Sequence, residues 1–353
     1  MSEPFQLEIN GRTIAFTKGQ TILEVCRAAG IAVPTLCHDE RLKPYGGCRL
    51  CIVEIKGVPR PLASCTTPAE AGMVVTTESA KLQRLRKTVV ELLLSNHPND
   101  CMCCEAAGSC QLQDLAYSFG ARMGRYQGDR WQLPIRADNP FITFEPNKCI
   151  VCGRCVRICN EVVMAGTISI AHRGFNAMPE TAFGKPRSLD NCEFCGQCVS
   201  TCPTGALTDR KGRGLGRGNE ITKVKTTCTY CGTGCNFFLN VKDDRVIRVT
   251  SDLNAPVNKG NLCIKGRYGY DFIHHPDRIT TPLIKEGDGY RQASWDEALG
   301  LIATRFNALI AEFGADKVGG FSSSRCTNEE KDLLAKWVRT AVGSNNVDNC
   351  ARV

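Results

Sequence analysis

Two cysteine runs of identical spacing, between residues 149 and 202, constrain this 353-residue chain more than any other feature of its sequence. In each run, successive cysteines are separated by two, two and three residues. Three closely spaced thiolates can bind one 4Fe–4S cubane, whereas the fourth lies too far along the backbone and binds the cluster of the other run. The spacing therefore predicts two 4Fe–4S clusters that exchange their fourth ligands. One predicted set is Cys149, Cys152, Cys155 and Cys202, and the other is Cys192, Cys195, Cys198 and Cys159. Zinc sites are the weaker alternative, because zinc usually takes four ligands from two separated pairs.

The remaining composition indicates a reducing compartment. A total of 23 cysteines would indicate a disulfide scaffold only in a short secreted chain. The amino terminus has no basic region, apolar segment or twin arginine typical of an export signal. The longest apolar runs are far too short to span a membrane. We therefore predict a cytoplasmic protein of several domains, with no membrane span and with thiolates that bind metal.

The formal net charge of +8 would by itself suggest a nucleic-acid partner. Metal-bound thiolates add negative charge that this value omits, and oxidised iron–sulfur cores return part of it as positive charge, so the holoprotein is expected to lie near neutrality. No platform of interleaved aromatic and basic residues accompanies the charge. We predict no nucleic-acid partner, and expect the basic residues to balance the clusters or to face an acidic partner or an anionic cofactor.

Residues 1–78 have the pattern of a β-grasp ferredoxin domain. Alternating apolar residues on both sides of Asn10-Gly11 predict a hairpin, and Thr21 predicts the capped start of a short helix. A loop and a strand over residues 52–55 follow.

That loop contains three of the four cysteines suited to a 2Fe–2S cluster. The pair Gly46-Gly47 would let the backbone approach the sulfur atoms and donate hydrogen bonds to them. Cys26, inside the predicted helix, is expected to be a core thiol. Zinc is the alternative, although the cysteine pairing is irregular for a zinc site. The predicted 2Fe–2S ligands are Cys37, Cys48, Cys51 and Cys65.

Residues 79–138 are predicted to form a domain around a cluster with a histidine ligand. An amphipathic helix is expected over residues 79–96, with an apolar face of Leu82, Leu85, Val89, Leu92 and Leu93. It leads into a histidine and four cysteines, and imidazole is an established iron–sulfur ligand. From spacing alone, Cys103 could replace Cys101 or Cys104. The predicted 4Fe–4S ligands are His97, Cys101, Cys104 and Cys110.

The rest of the chain divides by pattern into four segments. The two-cluster ferredoxin module covers residues 139–208, and a glycine- and arginine-rich linker, expected to be a flexible hinge, covers residues 209–224. Residues 225–282 carry a fifth cluster site, and residues 283–353 change to an α/β pattern. Lys265, two residues beyond the last ligand and in an expected turn, is well placed to contact that cluster. The fifth 4Fe–4S ligand set is Cys228, Cys231, Cys235 and Cys263.

The α/β segment contains one helix–strand–helix unit. Ser294 predicts the cap of the first helix, residues 317–322 a strand, and residues 328–342 the second helix. A lone unit cannot bury both faces of a parallel sheet, so we expect this domain to be incomplete. Cys326 is expected to be a core residue. The fold class is therefore α+β with several domains.

These motifs resemble several families of redox proteins. The first 120 or so residues resemble the start of the large peripheral subunit of respiratory complex I, a front end shared with iron-only hydrogenases and cytoplasmic NAD-linked formate dehydrogenases. In those families the pattern of Cys37 holds a 2Fe–2S cluster, and the pattern of His97 holds a histidine-ligated 4Fe–4S cluster. The pattern of Cys228 resembles the amino-terminal cluster of molybdopterin oxidoreductases, in which the lysine at the position of Lys265 bridges cluster and pterin.

Two features separate these families, and the end of the chain then favours formate dehydrogenase. A hydrogenase would carry its own active-site cysteine motifs, and the complex I subunit normally keeps one cluster where this chain has all eight ligands. The segment 344–353 resembles the stretch that leads directly into the catalytic selenocysteine or cysteine of formate dehydrogenases. We expect that residue after Val353, at a selenocysteine codon read as a stop, with Cys350 as its neighbour. The resemblance thus implies the amino-terminal part of an alpha subunit that is inactive alone and has no catalytic residue of its own.

The resemblance also implies cofactors and partners. It implies one 2Fe–2S cluster, four 4Fe–4S clusters and, in the full-length protein, molybdenum or tungsten held by bis-pterin guanine dinucleotide. Electrons from formate would pass Lys265, the Cys228 cluster and the two-cluster module, and then the His97 and 2Fe–2S clusters. The expected partners are flavin- and NAD-binding iron–sulfur subunits of the diaphorase type, with a hydrogenase or ferredoxin partner as the alternative. A stand-alone electron-transfer subunit and a complex I-type subunit without pterin are the competing hypotheses.

Overall fold

The computed structural model describes residues 5–186 and 191–350 of the chain. These residues divide between Thr222 and Lys223 into two units, unit 1 and unit 2. The division falls inside the predicted linker. Residues 1–4 of the predicted β-grasp domain, residues 187–190 of the two-cluster module and the last three positions of the segment 344–353 lie outside the described residues.

Unit 1 begins with a mixed sheet and one helix. Their bounds are β1 (Phe5–Ile9), β2 (Arg12–Phe16), α1 (Ile22–Ala28), β3 (Ile52–Ile55), β4 (Leu62–Ala63) and β5 (Val74–Thr76). The strand order is β2-β1-β5-β3-β4, with β1 parallel to β5 and the other pairs antiparallel. Leu23 and Cys26 of α1 pack with Ile9 and Val53 of the sheet in one buried core. This order agrees with the predicted β-grasp fold and with Cys26 as a core thiol.

Local sequence signals set the first turn and the start of α1. Asn10 and Gly11 have φ values of 51° and 77°, the left-handed pair that a type I′ turn requires. The Thr21 hydroxyl accepts a hydrogen bond from the Glu24 N–H, and the Glu24 carboxylate accepts one from the Thr21 N–H. Both predictions are confirmed.

Two longer helices follow, α2 (Ala80–Asn96) and α3 (Gln111–Ser118). The extent predicted for α2 is confirmed, but its predicted buried face is partly wrong. Leu92 is 51% exposed, whereas Arg86 and Glu91 are buried. Glu91 pairs with Arg125 at 2.9 Å, and Arg86 donates to backbone carbonyls outside the helix. Polar partners elsewhere in the chain therefore decide which side chains α2 buries.

The two-cluster module folds as short helices and paired strands. Its elements are β6 (Ile142–Phe144), α4 (Arg154–Arg157), a π-helical segment (Ile158–Val163), β7 (Ser169–Ala171), β8 (Met178–Glu180), α5 (Gln197–Thr201) and β9 (Leu207–Asp209). The helices α4 and α5 each begin directly after a glycine of left-handed φ, Gly153 at 71° and Gly196 at 67°. Because β6 pairs antiparallel with β9, the two ends of the module meet.

Most of the predicted linker, residues 209–222, belongs to unit 1 and contacts other residues of that unit. Arg213 pairs with Glu145 at 2.9 Å, and Arg217 Nη2 donates to the Met102 carbonyl. Arginines that a free linker would expose to solvent thus have acceptors elsewhere in unit 1, and the flexible hinge stays a prediction.

Unit 2 combines a small sheet with an α/β segment. Its elements are β10 (Thr222–Thr227), β11 (Asn236–Lys242), β12 (Arg245–Ser251), α6 (Ile264–Tyr268), β13 (Leu283–Glu286), β14 (Gly289–Gln292), α7 (Trp295–Phe313), β15 (Gly320–Ser322), α8 (Asn328–Trp337), a π-helical segment (Val338–Val342) and β16 (Val347–Asn349). Ser294 caps α7, as predicted. The strand predicted over residues 317–322 is shorter, since Ala315–Lys317 forms a 3-10 turn. None of the helices in the described residues has the length and apolarity needed to cross a membrane.

The orientation of α2 can be tested with two leucines of the same helix. Leu82 is fully buried, so Leu82→Ala should lower the free energy of unfolding by about 2–5 kcal/mol. The half-exposed Leu92 is the matched control, and Leu92→Ala should change it by about 0.5 kcal/mol or less. Denaturant titration measures both values, and equal losses would contradict the observed buried face.

Candidate metal centres

Four thiols converge beside the β-grasp sheet. The Cys37 side chain hydrogen-bonds those of Cys48 and Cys65, and Cys51 hydrogen-bonds Cys65. These contacts lower the pKa of Cys37 and Cys51 and raise the pKa of Cys48 and Cys65. The structure therefore brings together all four residues predicted to bind the 2Fe–2S cluster.

The backbone of the same loop donates to these sulfur atoms. The Cys48 N–H lies 3.4 Å from Cys37 Sγ, and the Gly47 N–H also hydrogen-bonds Cys37. A Cβ at Gly47 would lie 2.6 Å from the Tyr45 ring, so a side chain here would require that half-exposed ring to move. Backbone donors stabilise negatively charged sulfur. The donor set fits a group held by thiolates, and it agrees with the role predicted for the paired glycines.

Two cavities divide the eight cysteines of the two-cluster module into two groups. Their other walls are mostly apolar, from side chains such as Leu207 in one and Ile158 in the other. Burial raises the pKa of Cys149 to about 12 and that of Cys152 to about 11. The raised pKa does not prevent these thiols from binding a metal, because a metal deprotonates a coordinating thiol outright. One cavity is lined by Cys149, Cys152, Cys155 and Cys202, and the other by Cys159, Cys192, Cys195 and Cys198. The grouping is the exchanged arrangement that the spacing predicts.

The predicted histidine site follows α2. His97 is buried, its Nδ1 lies 2.9 Å from the Pro98 carbonyl, and its Nε2 has no hydrogen-bond partner within residues 5–186 and 191–350. Burial lowers the pKa of His97, which keeps the imidazole neutral and leaves Nε2 able to bind a metal. Burial also raises the pKa of Cys101 and Cys110, and the nearby Cys104 acts in the same direction.

Exposure separates Cys103 from its neighbours. Cys103 is exposed, whereas Cys104 and Cys110 are buried and Cys101 is half-buried. The structure therefore favours Cys101 and Cys104 over Cys103 at this site.

Gly205 lies at the contact between the His97 site and the two-cluster module. A Cβ at this position would lie 2.6 Å from Cys104 Sγ and 3.5 Å from Lys148 Cδ. No real Cβ makes the first contact, so a side chain here would displace the Cys104 sulfur.

Arg154 joins three cysteine sites through one buried guanidinium. It donates to Thr201 Oγ1 at 3.0 Å, to Gln111 Oε1 at 3.0 Å and to Asp39 Oδ2 at 3.3 Å. Thr201 precedes Cys202, Gln111 follows Cys110, and Asp39 lies two residues after Cys37. Burial opposes ionisation of Asp39, but hydrogen bonds from Arg41 and Thr201 hold its pKa well below the usual range.

The site of Cys149, Cys152, Cys155 and Cys202 adjoins two other sites. Toward the 2Fe–2S site, Arg157 Nη1 donates to the Lys43 carbonyl at 2.8 Å, and the Arg157 guanidinium stacks over Tyr45 at 4.7 Å. Toward the His97 site, the Gln111 N–H donates to the Pro203 carbonyl at 3.0 Å. The 2Fe–2S and His97 sites thus each adjoin the same central site, whereas the sequence suggested no such branching.

The fifth predicted site lies in unit 2. Burial raises the pKa of Cys228 and Cys235, and the nearby Cys231 and Cys263 act in the same direction, so all four predicted ligands lie together. Lys265 is exposed and lies in α6 rather than in a turn, because Cys263 takes the N-cap position of that helix.

The remaining cysteines differ in setting. Cys326 is half-buried in the turn before α8, so its prediction as a core residue is wrong. Cys350 is exposed, and the Ser324 N–H donates to its sulfur at 3.3 Å, which lowers its pKa. Within residues 5–186 and 191–350, no three His, Cys, Asp or Glu side chains have the geometry for a single metal ion.

Sequence reasoning missed the residues that join the sites, chiefly Arg154, Asp39 and Gly205. Arg154 stands inside the Cys-Gly-Arg-Cys stretch of the first run, and Gly205 follows Cys202-Pro203-Thr204. Their closeness to ligands was a usable signal, but their contacts lie far away in sequence.

Family models match successive parts of the chain. They describe a 2Fe-2S iron-sulfur cluster binding domain at residues 2–80, an NADH-ubiquinone oxidoreductase-G iron-sulfur binding region at 86–125, and an NADH-quinone oxidoreductase subunit 3 ferredoxin-like domain at 139–208. A molybdopterin oxidoreductase Fe4S4 domain matches residues 221–275, and molybdopterin oxidoreductase matches 278–353. Part by part, the chain therefore matches iron–sulfur domains of the NADH-quinone oxidoreductase G type, followed by the start of a molybdopterin oxidoreductase.

Individual relatives have different names. NADPH-Fe(3+) oxidoreductase subunit alpha of Geobacter sulfurreducens is 42% identical over 347 residues, which cover 98% of this chain and 40% of that protein. The G 2 subunit of NADH-quinone oxidoreductase from Rhizobium meliloti is 36% identical over 350 residues, which cover 98% of this chain and 40% of that protein. A Staphylococcus aureus protein, provisionally named a formate dehydrogenase, is 30% identical over 392 aligned positions, covering 100% and 39%. The chain thus spans about 40% of the length of these relatives.

Part of the chain is also similar to a solved structure. A chain of an NAD+-reducing [NiFe]-hydrogenase in the H2-reduced state aligns with a TM-score of 0.56 and 34% identity, covering 61% of this chain and 91% of that chain.

The contact at Gly205 yields a test of the His97 site. Gly205→Ala should displace Cys104 and remove about four iron atoms per chain, with loss of one 4Fe–4S signal and retention of the 2Fe–2S signal. Iron analysis and electron paramagnetic resonance (EPR) measure both. The control is Gly128→Ala, where a Cβ meets no atom within 4 Å. An unchanged iron content in Gly205→Ala would contradict the assignment of Cys104.

Proposed function

We propose that the chain is the electron-transfer part of a cytoplasmic molybdopterin formate dehydrogenase, working between a molybdenum or tungsten pterin centre and a flavin- and NAD-binding partner. The observation that carries the proposal is the adjacency of the cysteine sites in unit 1, since both the 2Fe–2S and the His97 sites adjoin the site of Cys149 and Cys202. The two molybdopterin oxidoreductase matches, over residues 221–275 and 278–353, support the pterin centre, and the provisional name of the Staphylococcus relative supports formate.

In this proposal the clusters, when bound, supply one-electron transfer. The chain's own residues hold them, keep them dry and set their surroundings. The apolar walls around Cys155 and Cys198 exclude water, and the backbone N–H groups of Gly47 and Cys48 stabilise charge on Cys37. Arg154 and Arg157 fix the loops of neighbouring sites against one another. The proposed ligands are the five sets predicted from spacing, one for a 2Fe–2S and four for 4Fe–4S clusters.

Lys265 is proposed to connect the unit 2 site with the pterin. Its exposed amine lies beside Cys231, so it presents a positive charge where an anionic cofactor could bind. The diaphorase-type partner is supported by the likeness to the NAD+-reducing hydrogenase chain and to the Rhizobium NADH-quinone oxidoreductase protein.

A second candidate function follows from the Geobacter relative, whose name assigns it NADPH and ferric iron. In that case electrons would enter from a pyridine nucleotide through the partner, and formate would have no role. The full-length protein that contains this chain separates the two. Formate-dependent dye reduction together with bound molybdenum or tungsten supports the first proposal. NADPH-dependent ferric reduction without formate activity would replace it.

The role of Lys265 can be tested in the same full-length protein. Lys265→Met should lower the turnover of formate with an artificial acceptor at least tenfold, because it removes the charge beside the cluster, while iron content stays constant. The matched control is Lys285→Met, which removes an exposed lysine from β13 of the same unit. If the two variants keep equal turnover, Lys265 has no part in the transfer.

A further inference from the structure

Arg86 in α2 is a buried charge that the ligand assignments leave unexplained. Its side chain is 1% exposed, and a guanidinium stays protonated in proteins. Within the described residues it forms no ion pair. The carboxylate of the exposed Glu78 attracts it only at longer range. An isolated buried charge is costly unless other groups compensate it. Arg86 therefore requires a source of negative charge.

Two of the three hydrogen bonds of Arg86 go to the backbone around Cys51 of the 2Fe–2S site. Its Nε donates to the Leu50 carbonyl at 3.1 Å, and its Nη2 donates to the Ile52 carbonyl at 2.8 Å and to the Thr77 carbonyl at 2.9 Å. Leu50 and Ile52 stand on either side of Cys51. The Cys51 sulfur also interacts electrostatically with the guanidinium.

Ser64 completes this arrangement. The Cys51 carbonyl accepts hydrogen bonds from the Ser64 hydroxyl at 2.7 Å and from the Ser64 N–H at 3.0 Å. Three consecutive carbonyls around the Cys51 thiol thus all accept hydrogen bonds. They belong to Leu50, Cys51 and Ile52. Ser64 directly precedes Cys65, so the same contacts hold a second thiol of the site.

A 2Fe–2S cluster on four thiolates would supply the missing negative charge. Its net charge becomes one unit more negative on reduction, with no bond made or broken. A fixed positive charge nearby favours the reduced form, because the charge and burial around a cluster set its potential.

We propose that Arg86 is the buried counter-charge of the 2Fe–2S cluster, and that it positions Cys51 and raises the reduction potential of that cluster. The inference rests on the proposed assignment of Cys37, Cys48, Cys51 and Cys65 to this cluster. It makes Arg86 a positioning residue, since the guanidinium acts through the loop and through its charge.

The test compares Arg86→Gln with Arg84→Gln in the full-length holoprotein. Both variants remove an arginine from α2, but Arg84 is exposed. An EPR-monitored redox titration measures the 2Fe–2S midpoint potential. At a fixed potential, Arg86→Gln should lower the reduced-to-oxidised ratio of this cluster about tenfold, equal to about 59 mV for a one-electron couple. Arg84→Gln should leave the ratio unchanged.

Arg86→Lys separates charge from hydrogen bonding and serves if Arg86→Gln does not fold. It keeps the charge but loses the forked contact, so its potential should stay near the wild-type value while its melting temperature falls. An unchanged potential in Arg86→Gln, or an equal tenfold fall in Arg86→Lys and Arg86→Gln, would overturn the inference. Wild-type protein without any 2Fe–2S signal would instead overturn the ligand assignment on which it rests.

Discussion

The arrangement of unit 1 depends on the buried guanidinium of Arg154. Removing such a charge from water is costly, and it is tolerated only where the hydrogen bonds are well formed. Arg154 meets this requirement with Asp39, Gln111 and Thr201, which come from three separate parts of the chain. Because each acceptor lies within two residues of a candidate ligand, one side chain fixes the relative positions of three sites. Arg41 shares Asp39 with it at 2.9 Å, so the carboxylate stays ionised.

Features that depend on local geometry could be predicted from the sequence. The cubane dictates how closely three thiolates must follow one another, so the spacing alone gave the two exchanged groups that line the two cavities. The turn at Asn10-Gly11 and the capping box at Thr21 also involve only neighbouring residues. In each case the interacting groups lie within a few positions of one another or follow a rigid template.

Features that depend on distant acceptors could not be predicted. The usual pattern places charged residues of an amphipathic helix outside and leucines inside. In α2, Arg86 donates hydrogen bonds to carbonyls 34 and 36 positions away in the sequence. Leu92, which the pattern places on the buried apolar face, is half-exposed. The same reasoning applies to Arg213 and Arg217, whose acceptors elsewhere in unit 1 contact a stretch that composition alone assigns to a hinge. Glycine- and arginine-rich composition describes the backbone's freedom, but it does not reveal which acceptors lie nearby.

Some of the positive charge counted in the formal net charge of +8 lies on buried side chains near the candidate cluster sites. Lys148 is 4% exposed and pairs with Asp100 at 3.0 Å and with Glu145 at 2.8 Å. Burial by itself would lower the pKa of Lys148, but these two contacts raise it. It directly precedes Cys149 and lies near Cys104, between two candidate sites. Its charge is already balanced by two carboxylates, whereas Arg86 has only carbonyl dipoles. A cation paired with carboxylates, such as Lys148, adds little to the electrostatic field at a cluster. A buried cation without a carboxylate partner, such as Arg86, contributes almost its whole charge to that field. The effect of a basic residue on the redox sites therefore depends less on its distance from them than on whether a carboxylate already neutralises it.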